Sequence, residues 1–412
     1  MVEILFYLLI CILIINFLLE RWLDYLNSTK WSSELPHELE GIYDDEKYKK
    51  SMEYEKIKHH FSTITESLGF LTVLVLFATG AFGWLDNAVR SLAIKNPIHI
   101  SLIYFAILAL LTEIASFPFK WYDTFIIEER FGFNKSTLRL FLLDQVKGLL
   151  IGALVGGSIL YLIVWIYLVA GNLFWLYTLV VISSFSVFML LFYSSLIVPL
   201  FNRQTPLEDG DLKDAITSFS LKTGFLLDNI FVIDGSKRSS KANAYFTGLG
   251  SKKRIVLYDT LISELNTEEI VAVLAHEIGH YRKHHVYSGL LFSLLSTALM
   301  LYIFALVSGH NAFSQVLGSD NPGFHLAIIS FGILYTPLSL VIGLGMNFLS
   351  RVNEYQADRF AREEYGGQYL ASALKKLSVS NLSNLTPHPF YVFFHYSHPT
   401  LLQRLNKLKE IM

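Results

Sequence analysis

The chain has 412 residues, of which 53% are hydrophobic and only 17% are charged, and its net charge is −2. Soluble globular domains carry about 25% charged residues, so this composition and the mean hydropathy of +0.44 indicate a membrane protein. The near-neutral charge argues against nucleic acid as a partner. The single cysteine, Cys11, excludes an intrachain disulfide.

Seven apolar stretches are long enough to cross a membrane as helices, which takes about 20 residues. The first stretch lacks the basic start and the cleavage site of a secretion signal, so we expect it to remain as a transmembrane helix. The second is the weakest because it contains Gly80 and Gly83. The predicted spans are approximately Val2–Leu19, Leu68–Leu85, Ile98–Phe119, Leu149–Ala170, Phe174–Leu200, Val286–Ser308 and Phe324–Leu349.

Lysine and arginine are distributed unevenly among the segments that connect these spans. The segments after the first, third, fifth and seventh spans are rich in both residues, whereas the other loops hold few or none. Because positively charged loops stay on the cytoplasmic side, we predict an outside or lumenal N-terminus and a cytoplasmic C-terminus. The host membrane would be a bacterial inner membrane or the endoplasmic reticulum.

Two parts of the chain have the mixed composition of water-exposed protein. In the first, Ile230–Ile233 and Arg254–Tyr258 are rich in β-branched and aromatic residues, which is typical of short strands. The second is expected to form helices broken at Thr386–Pro389. We therefore divide the chain into spans one to five (1–200), a first cytoplasmic part (201–285), spans six and seven (286–349) and a second cytoplasmic part (350–412).

An H-E-x-x-H pattern, His276 to His280, lies towards the end of a predicted helix in the first cytoplasmic part. Residues four apart lie on one face of a helix, so both imidazoles can bind one metal ion. Glu277 can then take a proton from a water on that metal. Asn266 and Glu269 are spaced as a capping box at the helix start. The pattern predicts one Zn²⁺ per chain, with Glu277 as the general base.

A catalytic zinc site needs a third protein ligand and an open position for water. Glu354 follows the seventh span on the same side of the membrane as the two histidines, and it is the best candidate. The alternative is an ordinary acid at a helix start, where the helix dipole favours it. Asp358, one helical turn later, could hydrogen-bond a ligating imidazole.

The remaining histidines near this region have less defined roles. We expect the H-E-x-x-H helix to continue into the sixth span, and we interpret His284 and His285 as interfacial or structural residues. A protease also needs a donor that stabilises the oxyanion of the reaction. The residues leave three candidates for this donor, namely His388, His395 and His398.

As a set, the motifs resemble one family, the type I CAAX prenyl proteases, which are integral-membrane zinc endopeptidases. The resemblance covers nearly the whole chain, and the short loops favour a compact prokaryotic-type member. The motifs that carry it are Glu128–Lys135, Leu200–Arg203, Pro206–Glu208, Ser240–Phe246, the H-E-x-x-H helix, Arg351–Asp358 and His395–Arg404.

The resemblance implies a mainly α fold, in which a ring of seven tilted helices surrounds a water-filled chamber. A zincin-like metalloprotease domain with a small β-sheet would close the cytoplasmic side. Glu354 is similar to the third zinc ligand, and His398 is similar to the histidine that steadies the transition state. Arg404 resembles the arginine that braces the site, and Asn243 and Ala244 resemble the edge that aligns the substrate. The implied reaction cleaves after a prenylated C-terminal cysteine and releases three residues.

Glu113 lies at membrane depth, where an acid is expected to face the chamber; the alternative is a pair with a neighbouring helix. Two other functions stay open. A general membrane quality-control zinc protease would share H-E-x-x-H but have fewer spans. A non-enzymatic scaffold would need a closed, usually cysteine-rich zinc site. The expected partners are a peptide or lipidated peptide and the bilayer, without nucleic acid or an obligate protein partner.

Overall fold

The computed structural model describes residues 1–32, 34, 35, 37, 40–225, 230–247 and 254–409, and these residues form mainly α-helix. Within this described part, seven helical segments are long and apolar enough to cross a membrane, which confirms the predicted number of spans. The segments are Val2–Ser28, Asp45–Ala78, Pro97–Phe131, Leu138–Val169, Gly171–Phe201, His285–Val307 and Phe324–Ser380.

Three of the seven segments are single helices, and π-helical turns interrupt the other four. The helices are α1 (Val2–Ser28), α2 (Asp45–Ala78), α3 (Ala81–Ser91), α4 (Pro97–Tyr122), α5 (Glu129–Phe131), α6 (Leu138–Ile151), α7 (Gly157–Val169), α8 (Phe174–Phe192), α9 (Val198–Phe201), α10 (Asp211–Lys222), α11 (Asp259–Glu264), α12 (Thr267–Arg282), α13 (His285–Val307), α14 (Ala312–Gln315), α15 (Phe324–Ala361), α16 (Gly367–Ser380), α17 (Pro389–His395) and α18 (Leu401–Lys409). The π-helical turns are Asp123–Glu128, Gly152–Gly156, Tyr193–Ile197 and Arg362–Gly366.

The second predicted span, Leu68–Leu85, overlaps the second spanning helix, but its predicted end at Leu85 is wrong. Helix α2 ends at Ala78, and Gly80 has a φ of 68°, a left-handed conformation that ends helices and favours glycine. The chain then turns into α3, where Gly83 N donates a hydrogen bond to Leu317 O at 2.7 Å. A Cβ at Gly83 would overlap the backbone of Gly318, so this glycine permits α3 to pack against the loop that precedes α15.

A cavity of about 1250 Å³ lies between α4 and the α6–α7 segment. Glu113 lines this cavity, and its expected position facing a central chamber stays a prediction. Its partner is Lys120 of the same helix, with Nζ 2.7 Å from Oε2. The ion pair therefore matches the charge of Glu113 within the same helix.

A four-stranded sheet lies in the part of the chain between α9 and α11. Its strands are β1 (Gln204–Pro206), β2 (Ile230–Ile233), β3 (Ala244–Thr247) and β4 (Arg254–Tyr258). The order is β1-β2-β4-β3, with β2 and β4 parallel and the two outer pairs antiparallel. Both predicted strands, β2 and β4, are confirmed, and β3 forms one edge of the sheet.

One hydrophobic core joins this sheet to helix α12. Ile255 and Leu257 of β4 pack in the same buried cluster as Ile270 and Leu274 of α12. Helix α16 contributes buried residues to the same cluster, and α15 packs along another side of α12. Helix α12 is thus supported on several sides, which gives its functional side chains a rigid base. The division of the chain into four parts stays a prediction.

Candidate metal centre

Helix α12 begins with the predicted capping box. Asn266 Oδ1 accepts a hydrogen bond from Glu269 N at 2.9 Å, and Glu269 Oε2 accepts one from Asn266 N at 3.0 Å. The buried Glu269 carboxylate also accepts hydrogen bonds from Ser372 Oγ at 2.7 Å and from Lys376 Nζ at 2.8 Å, both on α16. The cap therefore ties the start of α12 to α16 as well as satisfying its free N–H groups.

The predicted continuation of α12 into the sixth span is wrong. Helix α12 ends at Arg282, His284 has a φ of 60°, and α13 begins at His285. A left-handed residue cannot continue the i to i−4 hydrogen bonds of an α-helix. The two helices are therefore separate elements with a bend between them.

Gly279 allows α12 and α15 to approach closely opposite the two histidines. A Cβ on Gly279 would lie 3.0 Å from the Cα atom of Ala357 and 3.1 Å from its carbonyl oxygen. This close approach brings Glu354 and Asp358, which are both buried, against the histidine face of α12. The close packing of α12 against α15 therefore explains why a small residue occupies this position of the H-E-x-x-H pattern.

Three side chains from these two helices form a compact set of metal donors. His276 Nε2 lies 3.2 Å from His280 Nε2 and 3.5 Å from Glu354 Oε2, and His280 Nε2 lies 3.2 Å from Glu354 Oε1. Donor atoms bound to a tetrahedral zinc at its usual bond lengths are about 3.3 Å apart. The set fits a single ion of that size, and no other such group occurs among the described residues.

Asp358 and Arg404 orient the first histidine from behind. His276 Nδ1 lies 2.8 Å from Asp358 Oδ1, and Arg404 donates to both carboxylate oxygens of Asp358 at 2.6 and 2.8 Å. A donated Nδ1–H leaves the lone pair of Nε2 free for a metal. Burial disfavours the charged imidazole, but Asp358 and Glu354 outweigh it and raise the pKa of His276 to about 9. Metal binding would displace that proton, because a histidine ligand is neutral.

The second histidine has its own orienting partner, which sequence reasoning missed. His285 is buried, and its Nδ1 lies 3.0 Å from His280 Nδ1, while its Nε2 lies 3.1 Å from Gln356 Oε1. If His280 uses Nε2 for the metal, its Nδ1–H donates to His285, and His285 in turn donates to Gln356. A signal existed in the sequence, since Gln356 lies two residues after Glu354 and His285 follows His280 closely.

The donor set opens on a cavity of about 440 Å³ that Glu277 and His398 also line. His398 Nδ1 lies 3.0 Å from Glu354 Oε2, and the His398 side chain is 64% exposed. The other two candidate histidines lie elsewhere. His395 Nε2 is 3.3 Å from Glu20 Oε2, and His388 accepts a hydrogen bond from the backbone at the start of α17. Position therefore favours His398 as the donor near the metal centre.

Asn243 and Ala244 lie where the chain enters β3, the edge strand of the sheet. Asn243 O accepts a hydrogen bond from Tyr258 N at 3.1 Å, and Ala244 pairs with Leu257 of β4. Phe246, two residues further along β3, lines the same cavity as the donor set. The structure thus brings the predicted substrate edge to the rim of the candidate metal centre.

Membrane-length helices, together with a partly buried histidine–histidine–glutamate set beside a further glutamate, are typical of an integral-membrane metallopeptidase. Residues 24–203 match the model of the CAAX prenyl protease N-terminal domain, described as five membrane helices. Residues 206–412 match the model of peptidase family M48. The chain belongs to peptidase family M48 and carries the N-terminal membrane domain of its CAAX prenyl proteases.

Relatives of known name align with almost the entire chain. CAAX prenyl protease 1 of Saccharomyces cerevisiae is 38% identical over 97% of this chain and 94% of its own length. The CAAX prenyl protease 1 homolog of Homo sapiens is 31% identical over 96% of this chain and 94% of its own length. The crystal structure of S. mikatae Ste24p is similar with a TM-score of 0.92 and 37% identity, covering 98% of this chain and 99% of that chain.

These similarities confirm the family resemblance, the fold class and the metalloendopeptidase activity expected from the sequence. They also set aside the non-enzymatic scaffold, because a peptidase family covers the part of the chain that holds the donor set. The expectation of a prokaryotic-type member stays a prediction.

Proposed function

We propose that this metallopeptidase binds one Zn²⁺ through His276, His280 and Glu354 and cleaves CAAX-type substrates after a prenylated cysteine. The observation that carries the proposal is the close approach of three donor side chains beside Glu277: the Nε2 atoms of His276 and His280 lie 3.2 Å apart, and each lies 3.2 to 3.5 Å from one carboxylate oxygen of Glu354. The names of the relatives support the substrate class. The seven spans and the match along the N-terminal membrane domain favour it over a general quality-control protease.

The proposed chemistry is the hydrolysis of one peptide bond by water. Bound zinc would supply a Lewis acid that makes a coordinated water acidic near neutral pH. Glu277 takes the proton of the attacking water, whose oxygen forms a bond with the carbonyl carbon. Glu277 then gives a proton to the nitrogen as the carbon–nitrogen bond breaks. His398 donates a hydrogen bond to the negative charge that develops on the carbonyl oxygen.

The substrate peptide would bind as an added strand along the free edge of β3. Main-chain groups near Asn243 and Ala244 would hold it antiparallel to the sheet edge, which orients the peptide but reads few side chains. The cavity beside the donor set has apolar walls that include Phe292, Met346 and Leu349. Such walls suit the lipid part of a prenylated cysteine, because apolar surface is removed from water.

The chain is an integral multi-pass membrane protein. We infer that its N-terminus is outside or lumenal and that the metal centre and C-terminus are cytoplasmic. The alternation of lysine-rich and lysine-poor loops supports this orientation. A membrane of the endoplasmic reticulum suits an enzyme that acts on cytoplasmic C-termini. The proposed partners are the peptide or lipidated peptide and the bilayer, without nucleic acid or an obligate protein partner.

Mass spectrometry of peptide products and metal analysis test the proposal together. We expect the wild-type protein to hold one zinc per chain and to release a tripeptide from a farnesylated CAAX peptide faster than from the same peptide without lipid. Glu277→Ala should keep zinc and lose turnover by about 10²- to 10⁴-fold, because it removes the general base.

Glu268→Ala is the matched control, since Glu268 is an exposed acid on the same helix. Its turnover and zinc content should equal those of the wild type. Equal cleavage of both peptides would disprove the lipid preference. Full turnover of Glu277→Ala would disprove the assigned base.

A further inference from the structure

The motif Glu128–Lys135 takes no part in the metal centre, and its glutamate lies at a junction of three distant segments. Glu128 belongs to the π-helical turn after α4. Tyr54 of α2, which is buried, donates a hydrogen bond to Glu128 Oε1 at 2.6 Å. Lys241, in the loop before β3, places Nζ 3.0 Å from Glu128 Oε2. Two membrane helices and the substrate edge therefore meet at one carboxylate.

The Lys241 ammonium is held by more than this ion pair. Its Nζ donates a hydrogen bond to the Tyr54 hydroxyl at 3.0 Å, and it lies 4.3 Å from the centre of the Phe133 ring. Lys58 Nζ lies 3.3 Å from Glu128 Oε1 and 2.6 Å from Asp123 Oδ1, so two lysines face two carboxylates at this junction. Glu128 has only 17% of its side chain exposed, so this pair is screened less than a surface salt bridge.

Backbone hydrogen bonds attach the same loop to the turn that contains Phe133. Ser240 N donates to Phe133 O at 3.0 Å, and Lys135 N donates to Arg238 O at 3.0 Å. The Arg238 guanidinium also binds both oxygens of Asp144 on α6, at 2.8 and 2.9 Å. Residues 238–241 are thereby fixed to the membrane-spanning part just before the chain enters β3.

The position of the Lys241 backbone determines where the substrate edge begins, because the two lie close together in the chain. Asn243 follows two residues later, which spans about 7 Å in extended chain. Between them, Ala242 is buried in the core that supports α12, and Lys241 O accepts a hydrogen bond from Thr260 Oγ1 at 3.1 Å. A shift of the Lys241 backbone is therefore expected to shift the start of β3 as well.

We propose that Lys241, held by Glu128 and Tyr54, is a positioning residue that sets the register of the substrate strand relative to the metal centre. This inference rests on the proposed function of the same site. Lys241 acts through Asn243 and Ala244, and its side chain does not line the cavity of the donor set. This role of Lys241 gives a structural reason for the Glu128–Lys135 motif, which lies at the end of a membrane span and is one of the motifs that carry the family resemblance.

The test measures peptide binding and product identity in the full-length protein in detergent micelles. Lys241→Met removes the ammonium but keeps most of the aliphatic stem. A fluorescent farnesylated CAAX peptide is titrated against zinc-loaded Glu277→Ala protein with and without Lys241→Met. We expect Kd, and KM in the active protein, to rise about tenfold, because a displaced β3 edge pairs less well with the bound peptide. We expect kcat to change less, zinc to stay at one per chain, and a second product one residue away to appear.

Companion variants separate positioning from general stability. Glu128→Gln should raise KM as Lys241→Met does, and the double variant should be no worse than either single variant. Lys241→Arg should restore most of the binding. Lys213→Met is the matched control, because Lys213 forms an exposed ion pair of 2.6 Å with Asp209, and its KM should equal that of the wild type.

Unchanged Kd, KM and products in Lys241→Met would overturn the inference. Loss of zinc or a lower thermal midpoint in Lys241→Met, but not in Lys213→Met, would also overturn it, since the lysine would then be a general structural residue. Failure of the peptide to bind the parent Glu277→Ala protein would instead count against the proposed function, and the inference would fall with it.

Discussion

Two buried histidine–aspartate pairs, at opposite ends of the long helix α15, invite comparison. In the metal centre, His276 Nδ1 lies 2.8 Å from Asp358 Oδ1. At the other end, His325 Nε2 lies 2.9 Å from Asp86 Oδ1 of α3. All four residues are buried. The pairs are alike in chemistry and geometry, yet only the first belongs to the metal centre.

The difference lies in the second nitrogen of each imidazole ring. His276 Nε2 points towards His280 and Glu354 at the wall of a cavity. The second nitrogen of His325, Nδ1, lies 3.0 Å from Ser101 Oγ.

The second pair belongs to a closed hydrogen-bond network. Asp86 also accepts hydrogen bonds from Ser319 and Arg90. Ser101, His325 and Asp86 have the same sequence of contacts as a catalytic triad, but each is at most 2% exposed. A carboxylate–histidine pair therefore serves a ligand site only where the other nitrogen is free and reachable, and otherwise it joins helices.

The largest expected effect is the loss of stability when the closed pair, His325 and Asp86, is broken. His325→Leu leaves the Asp86 carboxylate buried with fewer partners, which should lower stability by about 3 kcal/mol. The thermal midpoint, followed by intrinsic fluorescence in detergent, measures this loss. Zinc content and turnover at low temperature should stay at the wild-type level. A variant that loses zinc without losing stability would contradict the comparison.

A substitution in the open pair, His276 and Asp358, should change zinc affinity. Asp358→Asn weakens the partner that fixes the orientation of His276, so zinc affinity should fall by about 10- to 100-fold. Competition with a chelator of known affinity measures this change.

His285→Phe removes the neutral partner of His280 and should lower zinc affinity less, because hydrogen bonds to a charged group are stronger.

Asp86→Asn is the matched control for Asp358→Asn, because it makes the same substitution in the closed pair. Its zinc affinity should equal that of the wild type. Equal losses of zinc affinity in the two asparagine variants would show that the pairs do not differ in function.

A smaller, pH-dependent effect is expected at the cap of the metal-binding helix. Burial alone would raise the pKa of Glu269, but hydrogen bonds from Lys376, Ser372 and Asn266 N outweigh it and hold the pKa below its usual 4.5. The charged carboxylate therefore stabilises the fold fully above pH 4.5, and this contribution disappears as the pH falls through the lower pKa of the folded state. Glu269→Gln should cost about 1.5 kcal/mol at pH 7.

Thermal midpoints of Glu269→Gln and wild type, measured from pH 7 downwards, check this sign. The two curves should converge at acidic pH, where the wild-type carboxylate is also neutral. A constant difference at every pH would mean that the charge of Glu269 does not matter.

The features that could be predicted from the sequence are local in the chain. Apolar length gives the number of spans, and the spacing of His276, Glu277 and His280 gives the metal helix with its cap. The predicted ends of α2 and α12 are wrong because hydropathy indicates which residues are apolar enough for the bilayer. It does not indicate where a helix begins or ends. The polar first half of α2 lies outside any apolar window, and the left-handed conformation of His284 carries no strong composition signal.

Relationships between distant residues could not be predicted from residue patterns alone. The link from His285 to Gln356 and the meeting of Tyr54, Glu128 and Lys241 depend on how helices pack, since their sequence separations range from 71 to 187 residues. Glu354 was the best candidate from its place after the seventh span, and the family resemblance supported it, whereas His398 was chosen among three histidines only through that resemblance. The chain pattern alone left the third ligand and the oxyanion donor among alternatives.

The bend at His284 separates the orientation of α12, which carries two of the three metal donors, from the orientation of the sixth span. Lipid bilayers vary in thickness, and spans respond by tilting. His276 lies eight residues, or about 12 Å of helix, from the bend. In one continuous rod, a tilt of about 5° in the sixth span would move that imidazole by roughly 1 Å, enough to impair catalysis. A break in the backbone ladder lets α13 follow the lipid while α12 stays fixed to the sheet and to α15.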